Sequence, residues 1–189
     1  MKIYEVKKIG EITSRDGEVF TIFFGISEEH VDQLKKYSLD KSDIELQNNT
    51  GDLARFGTGS YEDWFAKNRT PFSLIHNKTR TLAAFAWLGP KSLGLKSIKF
   101  GRDEKLISDD NWHTLALRSY NPFRGKGVTK TFAHFIIEYY KKLLPDALLW
   151  SGMDDRNLAI VNLMNFLGFR KREDISDLNS HWLIMTKEL

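Results

Sequence analysis

Residues 115–132 read Leu115-Ala116-Leu117-Arg118-Ser119-Tyr120-Asn121-Pro122-Phe123-Arg124-Gly125-Lys126-Gly127-Val128-Thr129-Lys130-Thr131-Phe132, and the other elements of the chain arrange themselves about this run. It opens as a strand, with Thr114, Ala116, Arg118 and Tyr120 on one face and Leu115, Leu117 and Ser119 on the other. Asn121-Pro122 ends the strand, because proline has no N–H for a ladder and pushes its predecessor out of the helical region. Gly125-Lys126-Gly127 follows, and then an amphipathic helix in which Val128, Phe132, Ile136, Tyr139 and Leu143 form the apolar stripe. Lys130, His134, Glu138 and Lys141 mark its outer side, Lys141-Lys142 suit the negative end of its dipole, and Pro145 stops it. A strand that passes through a glycine turn into a helix N-terminus aims unpaired backbone N–H groups at one point. Such a point suits a phosphate.

Composition bounds what surrounds this run. With 189 residues and 41% hydrophobic content, the chain can bury one substantial core and reads as a single domain over 1–189. It has no cysteine, so thiolate chemistry and disulfides are out and a reducing, cytoplasmic setting fits. Met1 to Lys8 is a charged strand pattern without an apolar signal core, and no apolar run approaches membrane-spanning length. The Asn-x-Thr triplets at Asn48, Asn68 and Asn77 therefore read as coincidence. A net charge of +3, with acids and bases interleaved, is too mild for a nucleic-acid binder but leaves room for a local anion site.

Before the central run, residues 2–13 and 18–26 read as two strands joined by a turn at Asp16-Gly17. Ser27, followed by Glu28-Glu29, reads as the N-cap of a helix to about Tyr37 that buries Val31 and Leu34. From Ser38 to Gly59 the pattern predicts loop with one short helical piece, and Ser60-Tyr61-Glu62-Asp63 a capped short helix. A second hairpin spans 71–75 and 80–88, and residues 90–111 read as a long irregular connection. After the central helix, Ala147 to Trp150 reads as a buried strand. Asp154 or Asp155 is expected to cap a helix with Ile160, Leu163, Met164 and Leu167 inward, Gly168 as its C′ residue and Phe169 packed back on it. Two further strands flank the turn at 176–179, giving a mixed α+β fold.

Gly125 to Thr129 lacks the spacing of a P-loop, and Lys130 stands where a dinucleotide fingerprint needs a small residue. Arg124-Gly125-Lys126-Gly127-Val128-Thr129 instead resembles the acyl-CoA signature of the GNAT superfamily of N-acetyltransferases: Gln or Arg, two residues, Gly, one residue, then Gly or Ala. Asn157, Ile160, Met164, Gly168 and Phe169 are similar to the late helix of the same family, and the order of elements from residue 60 onward follows the GNAT arrangement. Two positions depart from the pattern. Thr129 replaces a smaller residue, and Met164 stands where many members carry a tyrosine that protonates the departing thiolate; a thioether has no proton to give.

The resemblance implies a mostly antiparallel central sheet flanked by helices, and transfer of an acetyl group from acetyl-CoA to a primary amine by direct attack. It implies that the amides of Gly125, Lys126, Gly127, Val128 and Thr129 hold the pyrophosphate, with Arg124 or Lys126 adding charge or pointing into solvent. Backbone groups of Leu117 and Ser119 would meet the pantetheine, beside a strand bulge that turns one N–H toward the thioester carbonyl. Asn157 would contact the pantetheine arm or cap its helix. For the acid–base work, His113 and Tyr120 are the candidates, each with an alternative role in the core.

Trp64, Trp87 and Trp112 are candidates for an acceptor pocket or for the core. The basic residues of 91–105 read as a solvated loop or a face for an acidic partner. The histidines show no metal-ligand spacing, so no metal is expected. The expected partner is a small-molecule or peptide amine, with no nucleic acid and no membrane, on a monomer or a homodimer. A rival reading is a GNAT-fold module that holds acyl-CoA with little turnover. A nucleic-acid-binding domain, with salt-dependent binding, is a third.

Overall fold

The computed structural model describes residues 2–94 and 111–188. β1 (Val6–Thr13) and β2 (Val19–Gly25) form the expected antiparallel hairpin around Asp16-Gly17. α1 (Glu28–Leu39) buries Leu34 but leaves Val31 only partly covered. Ser27 precedes it without capping it, because its hydroxyl is engaged with His30 Nδ1 at 2.6 Å. The segment expected to be loop is more ordered than its composition suggests. Asp43 accepts from Leu46 N–H at 3.0 Å and starts α2 (Ile44–Asn49), and one π-helical turn follows at Leu53–Gly57. Leu46 and Phe56 anchor these pieces in the core. α3 (Tyr61–Phe65) is capped by Ser60, which accepts from Asp63 N–H at 3.1 Å, as the sequence predicts.

β3 (Thr70–His76) and β4 (Thr81–Pro90) make the second hairpin and are buried on both faces. Of the connection from 90 to 111, residues 95–110 lie outside the described residues, as does most of the basic stretch 91–105. β5 (Trp112–Ser119) and α4 (Val128–Leu143) are the central strand and helix. α4 buries Val128, Phe132, Ile136, Ile137 and Tyr140, whereas Leu143 is 47% exposed because the last turn has outrun its packing partners. β6 (Leu148–Asp154) runs beyond the apolar stretch that marks it in sequence. Since β6 holds Asp154 in a strand, the helix behind it starts later, and Asn157 caps α5 (Leu158–Phe166) by accepting from Ile160 N–H at 3.4 Å. Gly168, at φ +84°, ends α5, and Phe169 folds back with its N–H on Met164 O at 3.0 Å. β7 (Arg170–Lys171) and β8 (Trp182–Glu188) complete one eight-stranded sheet in the order β1-β2-β3-β4-β5-β6-β8-β7.

Among the described residues, every neighbouring pair of strands is antiparallel except β5 and β6. The fold is therefore α+β, with a mostly antiparallel mixed sheet flanked by helices. One face of the sheet packs against α4 and α5 through Phe72, Leu115, Leu117, Phe132 and Ile136. The other packs against α1, α2 and α3 through Leu34, Leu46, Trp64 and Phe85.

Candidate functional site

The site begins where the one parallel pair fails. β5 pairs with β4 from His113 to Ser119 but with β6 only from Trp112 to Thr114. β6 continues to Asp154 on β8, so the two parallel strands part and open a wedge. Tyr120 N–H donates to Ala83 O at 3.0 Å, and the register with β4 is unbroken. By alternation, Leu115, Leu117 and Ser119 turn their backbone groups away from β4 and toward the wedge. The strand bulge implied by the resemblance is absent from the pairing of β5 with β4, and it is the splaying from β6 that leaves this edge open. A cleft of about 530 Å³ lies over this edge.

At one end of the cleft stands the glycine turn. Gly125, Gly127 and Thr129 line it, while the Val128 side chain is buried and leaves only its backbone to the turn. Gly127 occupies the left-handed region at φ +80°, which lets the chain enter α4 with its first N–H groups outward. α4 has no side-chain cap and no acidic residue in its first turn, whereas the first turns of α1, α2 and α3 all carry acidic residues. Its positive end is thus left for an external anion.

The two cations expected to assist are engaged elsewhere. Arg124 lines the cleft, but its guanidinium bonds Asp43 at 2.8 and 2.9 Å, Glu45 at 3.2 Å and Ser119 O at 3.0 Å, clasping α2 to the end of β5. The bond to Asp43 raises its pKa above the ordinary arginine value. Lys126 pairs with Asp16 and Glu18 of the first hairpin. Lys130, which the sequence places on the outer side of the helix, lines the cleft with its Nζ 3.3 Å above the Phe166 ring. Asn157, Ala159, Ile160 and Leu163 form the wall opposite.

The other end is cationic. Asp52 is 1% exposed and is shared between Arg118, at 2.7 and 3.2 Å, and Arg55. Both guanidiniums lie against Trp87, 5.3 Å for Arg55 and 5.0 Å for Arg118 from carbon to ring centre. Arg69 Nη1 donates to Pro90 O at 2.8 Å, and the next residue, Lys91, holds its Nζ 4.9 Å over Trp150. Burial is the main cause that lowers the pKa of Arg55, Arg69 and Lys91, and neighbouring positive charge adds to it. Lys91 comes down to about 8.

Leu117 and Ser119 line the cleft, and so do Trp64 and Trp87, each of these two also packed in the core. Trp112 packs instead with Trp150 and Trp182. His113 and Tyr120 do not line the cleft. His113 shares a hydrogen bond of 2.5 Å with the Tyr140 hydroxyl of α4, and burial lowers its pKa. Tyr120 is buried and stacked on Tyr37 at 4.4 Å, and burial raises its pKa well above the ordinary value. Met164 is fully buried in the core between α5 and the sheet. Among the described residues, no cluster of three His, Cys, Asp or Glu is placed to hold a metal, and no helix is long and apolar enough to cross a membrane.

An eight-stranded sheet that splays at its one parallel pair, beside a glycine turn and an uncapped helix, defines the GNAT class of fold. Solved structures agree. The GNAT domain of PAT from S. lividans superposes with a TM-score of 0.67 over 95% of this chain and 96% of its own, at 11% identity. A GNAT-family acetyltransferase from Listeria monocytogenes gives 0.64 over 95% and 100%, at 15% identity. An aminoglycoside acetyltransferase in complex with coenzyme A gives 0.62 over 89% and 94%, at 15% identity. No family model and no curated protein sequence matches the chain. This chain has the fold of the GNAT superfamily.

Proposed function

We propose that residues 1–189 form one N-acetyltransferase-like domain that moves an acetyl group from acetyl-CoA to a primary amine, in the cytoplasm. The observation that carries this is the open edge of β5 leading to the uncapped N-terminus of α4. A pantetheine arm can accept from the outward N–H groups of Leu117 and Ser119, whose carbonyls are held by Arg118 and Arg124, and a pyrophosphate suits the amides of the turn from Gly125 to Thr129, of which the Lys126 N–H is bonded to Phe123 O. Arg124 and Lys126 are paired with carboxylates, whereas among the described residues Lys130 lines the cleft over Phe166 and Arg15 lies beside Gly127, so these two are the cations placed to meet that phosphate.

The neutral amine attacks the thioester carbonyl, an N–C bond forms, and the oxyanion is held by a β5 amide, a contribution of a few kcal/mol at such sites. The C–S bond then breaks, the nitrogen gives up its proton to water, and CoA leaves as a thiolate. A thiolate with a pKa of about 8.5 departs without a donor, so the buried Met164 slows the step without forbidding it. His113 and Tyr120 hold their elements together and act on the reaction only through that packing.

Met164 also supports a second reading, a module that binds acyl-CoA with little turnover. Incubating the protein with acetyl-CoA and a broad amine panel, and following free thiol, separates the two. Amine-dependent thiol release supports transfer, and tight acetyl-CoA binding without release supports the module.

A further inference from the structure

We propose that the acceptor amine carries an anionic group, a carboxylate or a phosphate, which is bound by Arg69, Lys91 and Arg55 at the end of the cleft away from the glycine turn. This rests on the acyl-transfer reading of the same cleft. Three elements contribute: Arg55 from the π-helical turn, Arg69 from the approach to β3, and Lys91 from the end of β4. Arg118 of β5 stands with Arg55 against Trp87, which adds to the positive charge of this wall.

The carboxylate that balances this wall is Asp52, and it is already divided between Arg55 and Arg118. Among the described residues, Arg69 and Lys91 have no carboxylate partner; Arg69 is tied to a neutral carbonyl and Lys91 to an indole face. Partly buried like charges repel one another and are costly unless an anion joins them. The carboxylates nearer the glycine turn do not serve, since Asp43 and Glu45 hold Arg124 and Asp154 holds Arg156. A planar carboxylate or a phosphate matches the guanidinium fork of Arg69, with the Lys91 ammonium as a second charge.

The same wall acts on the amine. An ammonium beside this wall is disfavoured first by burial and then by the neighbouring positive charge, the causes that lower the Lys91 pKa. The anionic group thus anchors the acceptor at this end of the cleft.

The test measures binding by calorimetry, with and without saturating CoA so that nothing turns over. L-amino acids are compared with their carboxamides, and ethanolamine phosphate with ethanolamine. Wild type is compared with Arg69→Gln and Lys91→Gln, each first shown to melt cooperatively. The anionic member of at least one series should bind about tenfold or more tightly than its neutral twin, and each substitution should cut that preference by most of its size. Preference for the amino acids assigns a carboxylate, and preference for ethanolamine phosphate assigns a phosphate. Equal binding of acids and neutral twins in wild type overturns the proposal, as does a preference that both variants retain. Variants that weaken CoA instead of the amines overturn it too, by giving these cations to the donor. If CoA itself fails to bind, the acyl-transfer reading falls, and the comparison of charged with neutral amines in the CoA-free protein still decides this one.

Discussion

Replacing Lys91 by methionine should stabilise the protein at neutral pH, and by an amount that depends on pH in a set direction. The Lys91 ammonium is partly buried beside Arg69 and Arg55, and its pKa falls from 10.5 to about 8. At about 1.4 kcal/mol per unit, that fall corresponds to roughly 3 kcal/mol of disfavoured charge in the folded state. The contact with Trp150 returns about 1 kcal/mol, which leaves a gain of about 2 kcal/mol for Lys91→Met at pH 7. For a chain of this size the melting temperature should rise by roughly 4–8 °C. Between pH 8 and 10.5 the unfolded chain keeps a proton that the folded protein has released, so wild-type stability rises with pH in that window relative to the variant. The advantage of Lys91→Met should therefore be full below pH 8 and vanish by about pH 10.5. Paired urea titrations across this range measure the difference, in which titrations common to both proteins cancel. A variant less stable than wild type at pH 7, or an advantage that does not change with pH, would refute the reasoning.

Asp52→Ala should destabilise by about 3 kcal/mol or more, because it leaves Arg55 and Arg118 facing each other without their shared carboxylate; thermal melting would show it. Met164→Tyr introduces a phenol at a fully buried position, so it should cost about 1–3 kcal/mol by overpacking and bring no faster release of CoA. Melting curves and a thiol assay on the same preparation check both halves of that expectation.

Much of the fold was legible because it rests on local signals. The strand–glycine turn–helix run, the Asp16-Gly17 hairpin, the Ser60 cap and the Gly168 stop each lie within a few residues, and each stands where the sequence put it. The segment 38–59 was less legible, since only two of its apolar side chains, Leu46 and Phe56, are buried in a core that other elements build, and its ion pairs to Arg118 and Arg124 are distant in sequence. The start of α5 was misplaced because both Asp154 and Asn157 are good caps, and only the extent of β6 decides between them.

The site divides in the same way. The glycine turn ahead of α4 is continuous in sequence and could be read directly. The partners of its cations could not, because Asp43 lies 81 residues from Arg124 and Glu18 lies 108 residues from Lys126. Nor could the cationic wall be read, since Arg55, Arg69, Lys91 and Arg118 come from four separate segments and show no common spacing. His113 looked like an acid–base group by its type and place on the strand, but its side chain falls on the α4 face, against Tyr140.

The central claim is that the cleft binds acetyl-CoA with its pyrophosphate on the first turn of α4. The most direct measurement is the thermal shift with acetyl-CoA, against free pantetheine and ATP, on wild type and on Thr129→Glu. A carboxylate in the first helical turn suits the helix dipole, so the variant should fold at least as well as wild type while opposing a phosphate by charge and bulk. At about one hundred times its Kd, a ligand adds about 2.7 kcal/mol, roughly 6–10 °C for a chain of this size. The account predicts such a shift with acetyl-CoA in wild type, larger than with either fragment and lost in Thr129→Glu. No shift in folded wild type, or an undiminished shift in the variant, would contradict it.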